Sequence, residues 1–162
     1  MIKLSKVGKK YKEGDSEKWV LKDISLLLPS KGMVAIQGES GSGKSTLLNL
    51  ISMMEVPDEG TIKINGRNVE KLSEKEKEDF RFFECGFIFQ HFNLFEDITA
   101  RDNIAHSLMM GGVEPKIAKI EAQELLKKYK LEHLANKKTS ILSGGEKQRI
   151  AILRTIIRSP RI

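Results

Sequence analysis

The chain has 162 residues, of which 40% are hydrophobic and 31% are charged, and its 28 basic and 22 acidic side chains give a net charge of +6. This composition excludes a disordered or fibrous protein, and the length suits one globular domain. No apolar run approaches the roughly 18 residues that a membrane span requires, no secretory signal opens the chain, and the only cysteine, Cys85, excludes an internal disulfide, so we expect a cytoplasmic location.

The first half of the chain predicts strands around one helix. Residues 1–31 alternate apolar and polar positions between Gly, Asp and Pro, a pattern typical of short antiparallel strands. The continuous apolar run MVAIQ, Met33 to Gln37, predicts a strand that is buried on both faces. Helical spacing of apolar residues predicts a helix over Thr46–Met54, and TIKIN predicts a strand over Thr61–Asn65.

Two capping boxes predict helix starts in the second half of the chain. Ser73 with Glu76 is expected to open a charged helix that runs to about residue 84. Thr99 followed by Asp102 is expected to open a helix that stops at the next pair of glycines. Between these helices, the residues CGFIFQ predict a short apolar strand that ends at Gln90.

Two further helices complete the predicted fold. A helix is expected over Pro115–Tyr129 and a last one over Ser143–Ser159. Five apolar side chains are predicted to line one side of the first of these helices: Ile117, Ile120, Leu125, Leu126 and Tyr129. The order of elements is antiparallel strands, then strand, loop and helix, then a mostly helical insertion, which indicates a mixed α/β domain.

The stretch GESGSGKST has the spacing of a phosphate-binding loop between a predicted strand and a predicted helix. Gly38, Gly41 and Gly43 would let the backbone aim N–H groups at phosphate oxygens, at the positive end of the helix dipole. Lys44 would supply a positive charge to the β and γ phosphates, and the Ser45 hydroxyl would be a ligand for Mg²⁺. The predicted nucleotide-binding residues are Gly38, Glu39, Ser40, Gly41, Ser42, Gly43, Lys44, Ser45 and Thr46.

The stretch LSGGEKQR predicts a second anion site. Ser143 with Glu146 is a capping box, which any helix can have. Gly144 and Gly145, however, would cost the helix about 1 kcal/mol each relative to alanine if nothing approached them closely. Bare N–H groups at a helix start, beside a serine hydroxyl, therefore indicate contact with a negatively charged group. One phosphate loop and one distant anion-seeking helix start suggest a site shared between two molecules.

These motifs together resemble the nucleotide-binding domain of an ATP-binding-cassette (ABC) transporter. The resemblance covers essentially the whole chain. Within that superfamily the chain resembles the bacterial macrolide-exporter and lipoprotein-release group of export ATPases, in the runs VLKDISL, GESGSGKSTLLNLI, FIFQHFNLF and LSGGEKQRIAILR. It implies a P-loop ATPase fold with an N-terminal antiparallel subdomain and a helical insertion. It also implies that the sequence LSGG would contact the γ-phosphate of ATP bound to the opposing subunit of a head-to-tail homodimer.

The resemblance assigns roles to residues outside the two motifs. Tyr11 corresponds to the aromatic residue that stacks on adenine, although it could instead pack a strand edge, and Trp19 is an alternative stacking residue. Gln90 corresponds to the glutamine that contacts Mg²⁺ and the attacking water and that links the site to the membrane subunit. The implied metal ligands are therefore Ser45 and Gln90.

All seven phenylalanines lie between residues 80 and 95, around Gln90. They could line an apolar groove for a helix of a membrane partner, or they could form a local core for the helical insertion. The sequence leaves both interpretations open. The charges are interspersed along the chain, so we expect no nucleic-acid partner.

The resemblance also implies a division of the chain. Residues of about 1–66 would form the strands and the P-loop core, about 70–142 the Gln90 loop and the helical subdomain, and 143–162 the signature helix. The Walker B strand, the catalytic glutamate and the histidine of the family would lie beyond Ile162. Residues 1–162 alone would therefore form an incomplete domain that binds MgATP weakly and hydrolyses it negligibly.

Three functions remain open from the sequence. The first is an ATP-hydrolysing subunit that moves a separate transmembrane permease, probably for export, from the inner face of the cell membrane. The second is a non-catalytic nucleotide-binding module with a regulatory or interaction role. The third is a soluble ATPase of DNA repair or translation, which the basic charge permits and the clustered phenylalanines disfavour.

Overall fold

The computed structural model describes residues 1–162, which fold as two compact units, Met1–Arg81 and Phe82–Ile162. The first unit combines an antiparallel sheet with two short helices. Its elements are β1 (Ile2–Glu13), β2 (Ser16–Leu28), α1 (Lys44–Ile51), β3 (Glu59–Ile64), β4 (Arg67–Asn68), a 3₁₀ turn (Val69–Lys71) and α2 (Glu74–Asp79). The predicted N-terminal antiparallel strands and the helix after the glycine-rich loop are thus confirmed.

The sheet has the order β2-β1-β3-β4, with every neighbouring pair antiparallel. At the start of β1, Ile2 and Leu4 point into the core because successive residues of a strand face opposite sides. Register shifts follow Leu4, and Lys6 has a left-handed backbone there with φ 50°. The bulge moves the buried position to Val7, so the long strand keeps an apolar face despite the change in its pattern.

The second unit is helical and has its own apolar core. Its elements are α3 (Ala100–Met109), α4 (Pro115–Lys128), 3₁₀ turns at Glu132–Leu134 and Thr139–Ile141, and α5 (Gly144–Ile156). A π-helix, Phe80–Glu84, lies at the boundary of the two units. Ile104, Leu126, Leu134 and Ile150 are fully buried in the core between the helices.

The buried side of α4 differs from the predicted one. Ala118, Ala122 and Leu126 face the core, whereas Ile117, Ile120 and Tyr129 are exposed. The alanines recur every four residues and pack against α3, which itself places Ala100 and Ala105 in the same core. Small side chains allow α3 and α4 to approach closely. The face of α4 that is buried is therefore the one with alanines, and not the one with the larger apolar side chains. Only Leu126 of the predicted stripe is fully buried.

Helix starts follow the capping predictions. Complete capping boxes begin α2, with Ser73 and Glu76, and α5, with Ser143 and Glu146. In each box the serine hydroxyl accepts from the glutamate amide, and the glutamate carboxylate accepts from the serine amide. At α3, Thr99 caps the helix, but the Asp102 carboxylate accepts from the Thr99 hydroxyl instead of the Thr99 backbone N–H.

Two predicted strands are wrong, because strand composition without a neighbouring strand forms no ladder. No backbone hydrogen bond involves residues 33–37, and Met33 is 97% exposed. In the second unit, the amide of Gly86 donates to the Ile162 carbonyl at 2.7 Å, and the amide of Ile162 donates to the Glu84 carbonyl at 3.0 Å. This pairing stops at Gly86, so the segment up to Gln90 is not a strand.

Candidate functional site

In the glycine-rich loop before α1, the side chain of Lys44 forms hydrogen bonds with the backbone at the beginning of the loop. Gly41 and Gly43 have left-handed backbones, with φ of 78° and 87°. The Lys44 ammonium donates to the carbonyl oxygens of Gly38 at 3.0 Å and Glu39 at 2.6 Å. The lysine therefore lies across the loop, at the place where positive charge would meet a phosphate.

Gly43 is also required by a close approach of the chain. A Cβ atom there would lie 2.8 Å from Leu21 Cδ2 and 3.0 Å from the Val20 carbonyl oxygen, both in β2. A side chain at this position would have to displace the Leu21 side chain and press on the Val20 carbonyl, and the left-handed backbone adds strain for any residue other than glycine. The glycine thus fixes where α1 starts relative to the sheet.

The start of α1 leaves hydrogen-bond donors free. Gly43 is the N-cap residue and provides no side-chain cap, and the first turn contains no acidic residue. The amides of Lys44, Ser45 and Thr46 have no acceptor in the chain, since the first capping bond runs from the amide of Leu47 to the Gly43 carbonyl. Free N–H groups and the helix dipole together form an anion site.

The remaining polar side chains of the loop are accessible. Glu39, Ser40, Ser42 and Ser45 are exposed, and the Ser45 hydroxyl makes no hydrogen bond within the chain. A free hydroxyl beside the phosphate cradle fits the hard oxygen ligand that Mg²⁺ prefers. No group of three or more His, Cys, Asp or Glu side chains is arranged to hold a metal ion.

Tyr11 lies in β1 and is tied to α1 through one carboxylate. Its hydroxyl donates to Glu55, and the Asn49 side chain of α1 donates to the other oxygen of the same carboxylate at 2.8 Å. Burial and the bond to Glu55 raise the pKa of Tyr11 above its usual value. The ring is 38% exposed, and the Lys9 ammonium lies 5.7 Å from its centroid. The ring is therefore held near the phosphate loop with part of its surface free.

Trp19, the alternative stacking residue, packs on the hairpin itself. A Cβ atom at Gly8 would lie 2.8 Å from Trp19 Cζ3, so the indole covers the backbone of β1. The Lys10 ammonium lies 5.6 Å from the ring centroid. These contacts give Trp19 a packing role within the sheet.

Gln90 is exposed and is followed by a turn with two left-handed residues, Phe92 with φ 61° and Asn93 with φ 48°. Arg154 of α5 donates to both carbonyl oxygens of this turn, Nη2 to Phe92 at 2.8 Å and Nη1 to Asn93 at 2.6 Å. Burial lowers the pKa of Arg154, with a smaller effect from the positive charge of Arg158. The segment after Gln90 is thus anchored to the signature helix.

The structure brings Gln90 and the signature motif to the same cavity, of about 450 Å³. Gln90 and Gly144 both line it, together with Lys147 and Glu96, whose side chains form an ion pair at 3.5 Å. Two sequence-predicted site residues that are far apart in the chain are therefore neighbours in the second unit.

The signature glycines are open to solvent. Ser143, Gly144 and Gly145 are all exposed, and a Cβ atom on either glycine would meet no heavy atom within 4 Å. The Ser143 hydroxyl donates to Glu146 at 2.6 Å, and the Ser143 amide donates to the same carboxylate at 2.8 Å, which lowers the pKa of Glu146. No contact within the chain requires glycine at either position, and both leave the start of α5 open to solvent.

The phenylalanines do not form the core of the helical unit. No phenylalanine belongs to that core or packs against its edge. Phe83 and Phe95 are 62% and 49% exposed, and Ile88 between them is 46% exposed. These three exposed apolar side chains lie within seven residues of Gln90 along the chain.

Sequence reasoning missed the residues that hold the site in place. Glu55 and Asn49 link Tyr11 to α1. Arg154 of α5, and Arg158 just after this helix, donate to carbonyl oxygens of the phenylalanine-rich segment. Two arginines four residues apart within the apolar run IAILRTIIRS were the available signal, because charges in a buried helix face need partners.

Comparison with known proteins decides the family. The family model described as ABC transporter matches residues 21–162. The chain belongs to the ABC transporter family. This ABC protein is 40% identical over all 162 residues to the lipoprotein-releasing system ATP-binding protein LolD of Pseudoalteromonas translucida (strain TAC 125), covering 70% of that protein.

Two solved structures of the ATP-binding cassette MJ0796 resemble it with a TM-score of 0.89 and 38% identity, over 99% of this chain and 71% of the other. One is a dimeric post-hydrolysis state with bound ADP and Pi, and the other is a dimer described as a bacterial ABC transporter cassette. The resemblance drawn from the motifs and the predicted α/β fold are confirmed. The chain is an ABC transporter ATP-binding subunit and, by family resemblance, an ATPase. None of its helices has the length and apolarity to cross a bilayer.

Proposed function

We propose that this subunit drives a separate transmembrane permease by closing, head to tail with a second copy, around two MgATP molecules. One observation carries the proposal: the first two positions of α5 are exposed glycines, and a Cβ atom added at either would meet no heavy atom within 4 Å. A helix start that is costly for its own fold and open to solvent suits a ligand held by another molecule.

In each half of this arrangement, the loop from Gly38 to Thr46 binds the phosphates. The free amides at the start of α1 and the Lys44 ammonium neutralise the charge, and Ser45 supplies a hydroxyl for Mg²⁺. Tyr11 stacks on the adenine, supported by its bond to Glu55. Gln90 supplies a second oxygen for Mg²⁺ and the attacking water. Ser143, Gly144 and Gly145 complete the nucleotide site of the partner.

The permease would dock on the apolar surface around Gln90. Phe83, Ile88 and Phe95 are exposed there, and an exposed apolar patch close to a functional loop is typical of a protein interface. The relative LolD is named for lipoprotein release, which supports export or extraction of a lipid-modified cargo. The subunit would then work on the inner face of the cell membrane. In this proposal, residues of about 1–66 form the strands and the P-loop core, about 70–142 the Gln90 loop and the helical subdomain, and 143–162 the signature helix.

Ser143→Arg tests the shared site. A bulky cation at the α5 cap should leave ATP binding by the single chain unchanged and abolish pairing driven by a non-hydrolysable ATP analogue with Mg²⁺. Light scattering after size-exclusion chromatography measures the pairing, and calorimetric titration measures the binding.

Gln148→Arg is the matched control, because Gln148 is exposed on the same helix and the charge change is the same. The control should pair as the unaltered chain does. Retained pairing in Ser143→Arg would contradict the head-to-tail arrangement.

A further inference from the structure

Arg154 is the only side chain that joins the signature helix to the turn after Gln90 by hydrogen bonds. Its guanidinium donates from Nη1 to the Asn93 carbonyl oxygen at 2.6 Å and from Nη2 to the Phe92 carbonyl oxygen at 2.8 Å. A planar guanidinium presents its donors in a fixed fork, which suits two acceptors on neighbouring residues. The anchor therefore sets the orientation of the turn as well as its distance from α5.

The turn needs such an anchor. Phe92 and Asn93 both have left-handed backbones, and a bulky residue such as phenylalanine rarely adopts this conformation unless its surroundings impose it. No carboxylate pairs with Arg154 in the chain, so the two carbonyl oxygens are the groups that compensate its partly buried charge. The arginine thus holds the turn in its left-handed conformation, and the carbonyl oxygens of the turn compensate the charge of the arginine.

A rigid element connects this anchor to the signature motif. Arg154 lies about three helical turns after Gly144 on the continuous helix α5. Gln90 lies just before the anchored turn, and Gln90 and Gly144 line one cavity. A shift of the α5 start would be carried along the helix to Arg154 and from there to the Gln90 segment, through covalent structure and two hydrogen bonds.

We infer that Arg154 is a positioning residue that couples the signature helix start to Gln90. When a nucleotide of the partner contacts Ser143–Gly145, Arg154 fixes the Gln90 segment in the matching position, and loss of Arg154 uncouples the two. The inference rests on the proposed roles of Gln90 and of the signature glycines at the nucleotide.

Arg154→Met tests the coupling, with Arg149→Met as the matched control, since Arg149 is an exposed arginine of the same helix that forms no hydrogen bond or ion pair in the chain. The first readout is amide hydrogen exchange over residues 90–95, which should become faster in Arg154→Met and stay unchanged in Arg149→Met. The second is the gain in affinity for a non-hydrolysable ATP analogue when Mg²⁺ replaces EDTA.

Arg154→Met should reduce this gain about fivefold or more, the lower end of usual coupling between sites. Gln90→Ala should reduce it as much, and the double variant should lose no more than either single variant, because Arg154 acts through the Gln90 segment. Arg154→Lys, which keeps the charge without the fork, should lie between the unaltered chain and Arg154→Met.

Additive losses in the double variant, or an Arg154→Met variant that matches Arg149→Met in both readouts, would overturn the coupling. Failure of the proposed function gives a different result: the unaltered chain would not bind the analogue, or Lys44→Ala would bind it equally well. Arg154→Lys keeps the test valid if Arg154→Met does not fold.

Discussion

Helices α1 and α5 both begin beside glycines, but they differ in whether the amides and side chains at the helix start already have hydrogen-bond partners within the chain. The α1 start has a glycine cap, no acidic residue in its first turn, and three amides without an acceptor. The α5 start has a complete capping box, in which Ser143 and Glu146 satisfy each other. One helix start is free to bind an anion, and the other is stable when nothing is bound.

This difference suggests that the start of α1 serves nucleotide binding and the start of α5 serves the pairing of two copies. Under the proposed function, the free amides of α1 and the ammonium of Lys44 would bind phosphate within a single chain. At α5, under the same proposal, an arriving phosphate would meet a carboxylate that already accepts from the Ser143 amide and hydroxyl. The start of α5 would then contribute mainly when a partner presents the phosphate in a fixed position, so the second contact would depend on the first.

The largest expected effect is at Lys44. Lys44→Ala removes the ammonium from the phosphate loop. A charge-assisted contact of this kind is worth about 2–3 kcal/mol, so affinity for ATP should fall about 30-fold to 160-fold. Calorimetric titration measures it. Lys147→Ala, near the start of α5, should leave single-chain binding unchanged. Equal losses of ATP affinity in both variants would contradict the assignment of single-chain binding to the start of α1.

A methyl group added at each helix start should have opposite effects on stability. Gly43→Ala places a Cβ against Leu21 and Val20 at a left-handed position, and should lower the free energy of unfolding by about 2 kcal/mol or more. Gly144→Ala meets nothing and should raise it by about 0.5 kcal/mol. Urea denaturation measures both.

Gly144→Ala sharpens the comparison further, because its added methyl group should weaken ATP-driven pairing while it stabilises the single chain. A variant that is more stable and pairs normally would show that no ligand approaches Gly144 closely.

The smallest effect is expected at Glu146. Glu146→Gln keeps a side-chain acceptor for the Ser143 amide and removes the negative charge, so ATP-driven pairing should strengthen severalfold while single-chain ATP affinity stays constant. Light scattering over a range of protein concentrations measures the change. Weaker pairing would mean that the carboxylate assists the phosphate instead of repelling it.

Local chemistry made parts of this molecule predictable from its sequence. The phosphate loop and the boxes at Ser73 and Ser143 depend on residues a few positions apart, so the pattern contains the interaction. Glycine was expected at Gly43 for the turn, but its contact with Val20 and Leu21 belongs to the folded sheet.

Tertiary contacts made other parts unpredictable. The apolar run at Met33–Gln37 has strand composition and no neighbouring strand, and the buried face of α4 is set by alanines that fit against α3. Arg154 binds carbonyl oxygens, which every residue carries, so no sequence pattern marks its partners. Prediction from sequence succeeded where the partners were adjacent and failed where they were distant.

The anchoring of the phenylalanine-rich segment has a consequence for evolution. Arg154 donates to the carbonyl oxygens of Phe92 and Asn93, and Arg158 donates to that of Phe82. No side chain of the segment accepts a hydrogen bond from either arginine. Substitutions can therefore alter the exposed rings while the anchored main chain keeps its course. Under the proposed function, a lineage could adapt this surface to a different permease while the residues proposed to bind nucleotide stay unchanged.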